Sequence, residues 1–325
     1  MAGKEYLVRA TALESYDELV RELGASPADL KREVGLPGDE IDTESWFSYR
    51  RFLELLENSA QALNCPHFGL LLSERQGLDA LGVVGLVIQQ ADNVGSALQQ
   101  LREYFAFHTR GAEVRFIIEN NSALLSYHNR LRGPVPWHQQ ADLAAGIGVA
   151  MMRLLCARNW TPQQVYLPHS RPENDRPYRS LFRCPVIFDW DDAVIQFNAA
   201  DLQIPLSNSD PRLKHIPEQH LLALRQSYPD DYGSQIRSLI KQAMYTGDCS
   251  LERVAAYLSM HKRTLQRRLK DHGLVYKELL EDVRFEQAER HLRESGASMT
   301  ELANRLGYSE LSAFSFAFKQ RHGLS

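Results

Sequence analysis

The sequence predicts an α+β N-terminal domain followed by an all-α domain with two helix-turn-helix motifs joined by a linker helix. Three observations predict this. The apolar period switches from helical to alternating and back before residue 200. A polar stretch containing Pro205, Pro211 and Pro217 then interrupts the chain, and proline both stiffens it and stops a helix. Beyond that stretch no strand pattern remains, and one segment repeats itself at an offset of 48 residues. The expected boundaries are 1–205 for the first domain, 206–227 for a linker and 228–325 for the helical domain.

The elements follow in order. Thr43 to Leu63 places Trp46, Phe47, Phe52, Leu53, Leu55 and Leu56 on a broad helical stripe. Asn93 is a candidate N-cap for a helix running to about Thr109, with Ala97, Leu98, Leu101, Tyr104 and Phe105 at core spacing. Glu113 to Glu119 alternates apolar and polar residues, and Ala123 to Tyr127 follows a short polar turn, which predicts a β-hairpin. Gln139 to Asn159 is helical again. Short strands are expected at Val165–Leu167, Val186–Phe188 and Val194–Phe197. Either long helical stripe, Thr43–Leu63 or Gln139–Asn159, suits a homodimer surface as well as a core. Tyr127, His128, Trp137 and His138 flank the hairpin and the helix after it. They are the candidate residues for binding a small-molecule effector between sheet and helices.

Composition narrows the function classes. The net charge is −4, but it is unevenly spread. Residues 228–325 carry 15 Lys+Arg and 13 Asp+Glu, a balance of +2, so the rest of the chain balances at −6. Met1 to Leu13 contains no apolar core and no cleavage site of a secretory signal. The longest apolar run, Leu143 to Met152, is about half of what a membrane span requires. A soluble, cytoplasmic protein is expected. Cys65, Cys156, Cys184 and Cys249 stand apart, away from any zinc-ligand spacing, which implies reduced thiols and no metal site. Gly146-Ile147-Gly148 lacks the third glycine of a dinucleotide fingerprint and sits in a helical pattern. No hydrolase, metalloprotease or nucleotide-loop motif occurs, so the chain is not expected to be an enzyme and no cofactor is implied.

The repeat points to a function. In Leu251–Leu274 and Met299–Leu324, Val254 aligns with Leu302, Ala255 with Ala303, Leu258 with Leu306 and Met260 with Tyr308. After one inserted residue Leu265 aligns with Phe314, Leu269 with Phe318 and Lys270 with Lys319, and both copies end in His-Gly-Leu. Two helices crossing over a tight turn need a small residue at their approach, here Ala255 and Ala303. They also need a tolerant turn residue, here Ser259 and Gly307. The leucine or phenylalanine pair on each second helix then faces inward. In the first copy Lys262, Arg263, Gln266 and Arg267 are left facing outward, with Thr264 and Lys270 beside them. Arginine can bond guanine bidentately, glutamine can bond adenine, and lysines meet phosphates. The expected partner is double-stranded promoter DNA. Lys277 to Arg293 lies between the copies with Leu280, Val283, Arg284, Ala288 and Leu292 at helical spacing. A helix of that length spans about 25 Å, and with the offset of each motif it suits reading heads roughly 34 Å apart.

These residues resemble the AraC/XylS family of bacterial transcription regulators. The resemblance covers about Tyr232 to Ser325. It rests on Leu265-Gln266-Arg267, on Arg284…Ala288…Leu292, and on Ala303…Leu306-Gly307-Tyr308-Ser309…Phe314…Phe318-Lys319. The upstream region is similar to the arabinose-binding-type N-terminal domain of ornithine-utilisation regulators, on Leu81-Gly82, Ala97-Leu98 and Phe182–Phe188. The resemblance implies an activator that contacts RNA polymerase, with effector binding or dimerisation in the N-terminal domain. One position departs from the family pattern: Phe316 stands where the family has an arginine, at the position equivalent to Arg267. The first motif is therefore expected to dominate base reading, with Ser309, Ser312, Ser315 and Lys319 touching phosphates. Phe316 also leaves open a second reading, a ligand-binding or interaction protein with weakened DNA binding.

Overall fold

The computed structural model describes residues 6–38, 45–119, 121–131, 135–206, 232–245, 248–258 and 260–294, and the single positions 306, 312 and 314. Most of the expected linker, 207–227, lies outside the described residues. The chain divides into two compact units, Met1–Asp39 with Ser48–Ser227, and Glu40–Phe47 with Tyr228–Ser325.

The first unit mixes helices with one main sheet. Its elements are β1 (Leu7–Arg9), α1 (Tyr16–Glu22), α2 (Pro27–Glu33), α3 (Tyr49–Ala62), α4 (Phe68–Gln76), α5 (Val83–Ile88) and α6 (Val94–Tyr104), while β2 (Trp46–Ser48) falls at the division, with Trp46 and Phe47 assigned to the second unit. They continue with β3 (Ala112–Glu119), β4 (Ser122–Asn129), α7 (His138–Leu155), β5 (Gln164–Tyr166), α8 (Arg176–Phe182), β6 (Val186–Ile187) and β7 (Ala193–Asn198). The five-stranded sheet has the order β3-β4-β7-β5-β6. Every pairing is antiparallel except β5 with β6. The expected hairpin forms, with Ala112 opposite Asn129 and Glu119 opposite Ser122. The alternation of β4 buries Ala123, Leu125 and Tyr127 on one face.

Three sequence expectations need correction at element ends. The Thr43–Leu63 stripe does not form one helix, because Trp46 and Phe47 belong to β2 and α3 starts at Tyr49. Ser48 is extended and its hydroxyl accepts from the Arg51 N–H at 3.4 Å, which caps the helix there. Asn93 does cap α6, through a capping box in which its side chain accepts from the Ser96 N–H at 2.8 Å. That helix ends at Tyr104 rather than near Thr109. The chain is recruited instead by β1: the Arg9 N–H donates to the His108 carbonyl at 3.0 Å, and the Thr109 hydroxyl donates to the Leu7 carbonyl at 2.9 Å. The predicted Gln139–Asn159 helix is α7, which ends at Leu155.

Helix α7 organises this unit. It packs against α4, α3 and strands β4 and β7, and most of its residues are buried. The apolar faces of α3 and α7 are thus used inside the unit, so neither stripe supplies the dimer surface considered from sequence. Glycine permits the closest contacts. A Cβ on Gly146 would lie 1.9 Å from the Ser73 Oγ of α4, and one on Gly69 of α4 would lie 1.9 Å from the Gln139 carbonyl oxygen. A Cβ on Gly148 would lie 2.5 Å from Ile195 Cδ1 of β7. Gly146 and Gly148 are about 200° apart around a helix of 3.6 residues per turn, so one glycine serves the helical neighbour and the other the sheet.

Asp142, fully buried on α7, accepts from the Tyr178 hydroxyl at 2.7 Å and from His169 Nε2 at 2.8 Å. His169 Nδ1 meets the Ser170 carbonyl at 3.0 Å. Both partners of the ring are acceptors, so only the imidazolium satisfies them both. Burial alone lowers the His169 pKa, but the hydrogen bond to Asp142 and its charge outweigh it, and the net direction is upward.

Two predictions follow from α7. Gly146→Ala should destabilise the protein by about 1–3 kcal/mol despite the better helix propensity of alanine. Adding Ser73→Gly should recover part of that loss, and an unchanged melting temperature for Gly146→Ala would refute the close packing. Asp142→Asn should cost on the order of 3 kcal/mol, because it leaves a buried partner uncompensated. The raised His169 pKa makes its contribution fully present below about 6.5, the unfolded value, and lost as pH rises through the higher folded value. The gap between parent and Asp142→Asn should therefore narrow from pH 6 to pH 9 in thermal melts; a gap independent of pH counts against the imidazolium.

Candidate nucleic-acid interface

The second unit contains α9 (Tyr232–Tyr245), α10 (Leu251–Tyr257), α11 (Lys262–Asp271) and α12 (Tyr276–Glu294). Helices α10 and α11 form the helix-turn-helix predicted for the first repeat. Ser250 caps α10 by accepting from the Arg253 N–H at 3.1 Å. Ala255 stands at the crossing and is buried, and its carbonyl accepts from the Met260 N–H at 3.0 Å as the chain turns toward α11. Ser259 lies outside the described residues.

Helix α11 is strongly two-sided. Leu265 and Leu269 are buried, at 0% and 2% exposure. His261, Lys262, Arg263, Gln266, Arg267 and Lys270 are exposed, while Thr264 is half-buried. Together these seven residues line one open groove. The structure thus brings Lys262, Arg263, Thr264, Gln266, Arg267 and Lys270 to one face and adds His261, which stands immediately before the first helical residue. The far end of α11 closes in a Schellman turn. The Leu274 N–H donates to the Leu269 carbonyl at 2.8 Å and the Gly273 N–H to the Lys270 carbonyl at 3.0 Å, with Gly273 at φ +68°. This is the structural meaning of His-Gly-Leu in the first copy.

One acidic group enters this basic face. Glu252 on α10 pairs with Lys262, and that hydrogen bond holds its carboxyl below the usual carboxylate range. No acid occurs between Ser259 and Lys270 in the sequence, but the crossing of the helices supplies one from ten residues upstream. Both partners are exposed, so the pair is weak and exchanges readily for another anion.

The remaining helices brace the motif. Tyr276 at the start of α12 donates its hydroxyl to the Cys249 carbonyl at 2.9 Å, just before α10. Arg237 and Lys241 on α9 pair with Asp282 and Glu286 on α12, at 2.6 and 2.8 Å. The buried face of α12 is Leu279, Val283, Phe285 and Ala288, whereas Leu280 is half-buried. Arg284 donates from Nε to the Leu306 carbonyl at 2.8 Å. In the second repeat Leu306 and Phe314 are buried, as their alignment with Leu258 and Leu265 requires, and Ser312 is exposed. Ser309, Ser315, Phe316 and Lys319 lie outside the described residues, as do Gly307 and Tyr308.

The four effector candidates of the first unit do not form a single cluster. Tyr127 lines a cavity between the sheet and α7. Trp137 stacks on Tyr127 at 6.4 Å between ring centroids, His128 Nδ1 is 2.8 Å from Asp192, and the exposed His138 lies 5.6 Å from the His169 ring. The thiols are poor nucleophiles: burial pushes Cys156 up to about 12 and Cys184 up to about 11. Among the described residues no helix is long and apolar enough to cross a membrane.

Known families and proteins resemble both parts of the chain. Residues 24–206 match the family described as the arabinose-binding domain of AraC transcription regulator, N-terminal. Residues 254–325 match a helix-turn-helix domain family. The chain is similar to the HTH-type transcriptional regulator VirS of Mycobacterium tuberculosis, at 31% identity over 98% of this chain and 95% of VirS. It is similar to the ornithine utilization regulator of Pseudomonas aeruginosa, at 25% identity over 98% of this chain and 94% of that protein. Among solved structures, the transcriptional regulator CdpR from Pseudomonas aeruginosa shares 25% identity at a TM-score of 0.43, covering 81% of this chain and 89% of CdpR.

The turn after α11 yields a test. A Cβ on Gly273 meets nothing within 4 Å, so any cost of substitution comes from the backbone alone. Gly273→Ala should cost about 1 kcal/mol, and Gly273→Asn should cost less, because asparagine tolerates the left-handed region. Denaturant unfolding of the two variants checks that order, and equal or reversed costs would contradict it.

Proposed function

The chain belongs to the AraC family of transcription regulators, and we propose that it is an effector-responsive activator that reads promoter DNA chiefly through α11. It is a helix-turn-helix regulator and not an enzyme. The observation that carries the finer reading is the sidedness of α11, where Leu265 and Leu269 are buried and Gln266 and Arg267 are presented between them. Such a helix seats in the major groove with its polar row against base edges. Lys262, Arg263 and Lys270 suit phosphates, and Lys262 would exchange Glu252 for one.

In this reading α12 is the linker helix, and Met299 to Arg321 forms a second helix-turn-helix. Arg284, bonded to Leu306, would fix the angle between the two. Phe316 offers no hydrogen bond to a base, so the second motif would act through Ser309, Ser312, Ser315 and Lys319 as a clamp on the backbone. Contact with RNA polymerase, effector control and a homodimer through some other surface belong to the same proposal and rest on family membership. A regulator with weakened DNA binding is the competing reading, and Phe316 is the residue that favours it.

Gel retardation with promoter fragments across a salt series separates these readings. Arg267→Ala should cost about 1–3 kcal/mol on the specific site and relax one base position, while Lys270→Ala should weaken all sequences alike and lower the salt slope by about 1. A loss from Phe316→Ala equal to that from Arg267→Ala would defeat the asymmetry. No retardation at low salt would favour the competing reading.

A further inference from the structure

The cavity on which Tyr127 lies has a construction that selects a ligand class. It sits within the first unit, between α7 and the inner face of strands β3, β4 and β7, and its end is closed by the segment after α6. Leu101, Phe105, Leu125, Met151 and Ile195 are among its apolar lining. Its volume is about 70 Å³, several times the ~10–15 Å³ that a single water needs. Unfilled space of this size beside a close-packed core forfeits packing contacts.

The polar groups on its wall are incompletely matched. Tyr127 accepts from Gln140 Nε2 at 3.0 Å and shares a hydrogen bond with the Tyr49 hydroxyl at 2.7 Å. Tyr49 is held from behind by Gly111, whose backbone runs so close that a Cβ would lie 2.1 Å from the ring. The Gln140 Oε1 has no hydrogen-bond partner, although the residue is only 7% exposed. Exchanging the amide oxygen and nitrogen would turn this unmatched acceptor into an unmatched donor without removing it. The Nδ1 of His108 is likewise without a partner, on a residue 8% exposed. Gln140 and His108 both line the cavity, and an unmatched buried polar atom on each is costly unless something bonds it.

Among the described residues no carboxylate, lysine or arginine lines the cavity. Burial, and secondarily the charge of Arg9, push the His108 imidazole down to about 4, so it is neutral near pH 7. An ionised ligand would therefore be buried without a counter-charge. We infer that this cavity is the effector site, and that it takes a compact, uncharged, mainly apolar molecule with one hydrogen-bonding group, held by Gln140, His108 and the Tyr49–Tyr127 pair. Amino acids, polyamines and carboxylates are excluded as ligands. The inference rests on the proposal that the first unit answers to an effector.

The test is direct binding to the full chain by thermal shift and titration calorimetry, with phenol and cyclohexanol as neutral hydrogen-bonding probes, toluene as an apolar probe, and benzoate and benzylammonium as charged ones. Phenol or cyclohexanol should raise the melting temperature in a dose-dependent way and bind at least tenfold more tightly than toluene. The charged probes should leave it unchanged. Gln140→Leu should reduce the preference for phenol over toluene at least fivefold while leaving toluene binding intact. Ala144→Leu, which fills the space, should abolish every shift without unfolding the protein. Binding of benzoate or benzylammonium in preference to phenol overturns the inference, and so does indifference between phenol and toluene. An absence of shift from every probe overturns it as well, because water alone then satisfies the wall. A probe that binds but leaves promoter affinity unchanged would count against the effector reading rather than against the site, since the two are measured separately.

Discussion

The first unit depends on how closely α7 can approach its neighbours. A side chain at Gly146 would collide with Ser73 of α4, one at Gly69 of α4 with the Gln139 backbone of α7, and one at Gly148 with Ile195 of β7. Their absence lets one helix lie against a helix on one side and a sheet on the other. Most of the unit's other contacts presuppose that placement. Asp142 reaches His169 and Tyr178 only because α7 carries it between them. Gln139 bonds to Gly69 and Pro66, across the same seam. A protein interior packed at crystal-like density has no slack to absorb a displaced central helix.

The second unit is organised by a different constraint. Here a short helix must expose nearly all of its polar side chains and still hold its position. Leu265 and Leu269 supply the hold, and the Schellman turn at Gly273 stops the helix before its basic face runs into the next element. The ion pairs between α9 and α12 and the Tyr276 hydroxyl bond brace the motif from behind. The outward row is consequently free to carry recognition rather than stability, which is why so polar a helix is tolerated in a domain of modest size.

Much of this was legible from sequence, and the exceptions share a cause. The hairpin, the Asn93 cap, the first helix-turn-helix and the polar row of α11 are all local patterns of period two or 3.6, and local patterns survive folding. The start of α3 was misplaced because Trp46 and Phe47 fit a helical stripe as well as they fit a strand; the deciding hydrogen bond belongs to Ser48 and carries no apolar signal. The end of α6 was misplaced because β1, about a hundred residues away, takes the backbone of His108 and Thr109. Glu252 escaped a count of charges along the chain because the crossing angle, not the spacing, brings it to Lys262. Of the four effector candidates, Tyr127 lines the cavity beside α7 because it belongs to the buried row of β4. His108 and Gln140 line it too and were not singled out, because a single unmatched polar atom has no pattern in a sequence.

The glycines and the cavity are two consequences of one arrangement of α7. Asp142, Gly146 and Val149 recur at the spacing of one helical face, and Gln140, Ala144, Ile147 and Met151 at that of another. The first face is tied down by a buried carboxylate and a close helical contact. The second faces the sheet with small side chains at its middle, a polar amide at its start and a flexible methionine at its end. A helix anchored so firmly on one side cannot shift to close the space left on the other. The same rigidity means that a molecule filling that space would press on β4 and β7 rather than on α7, so a signal from this cavity would leave through the sheet.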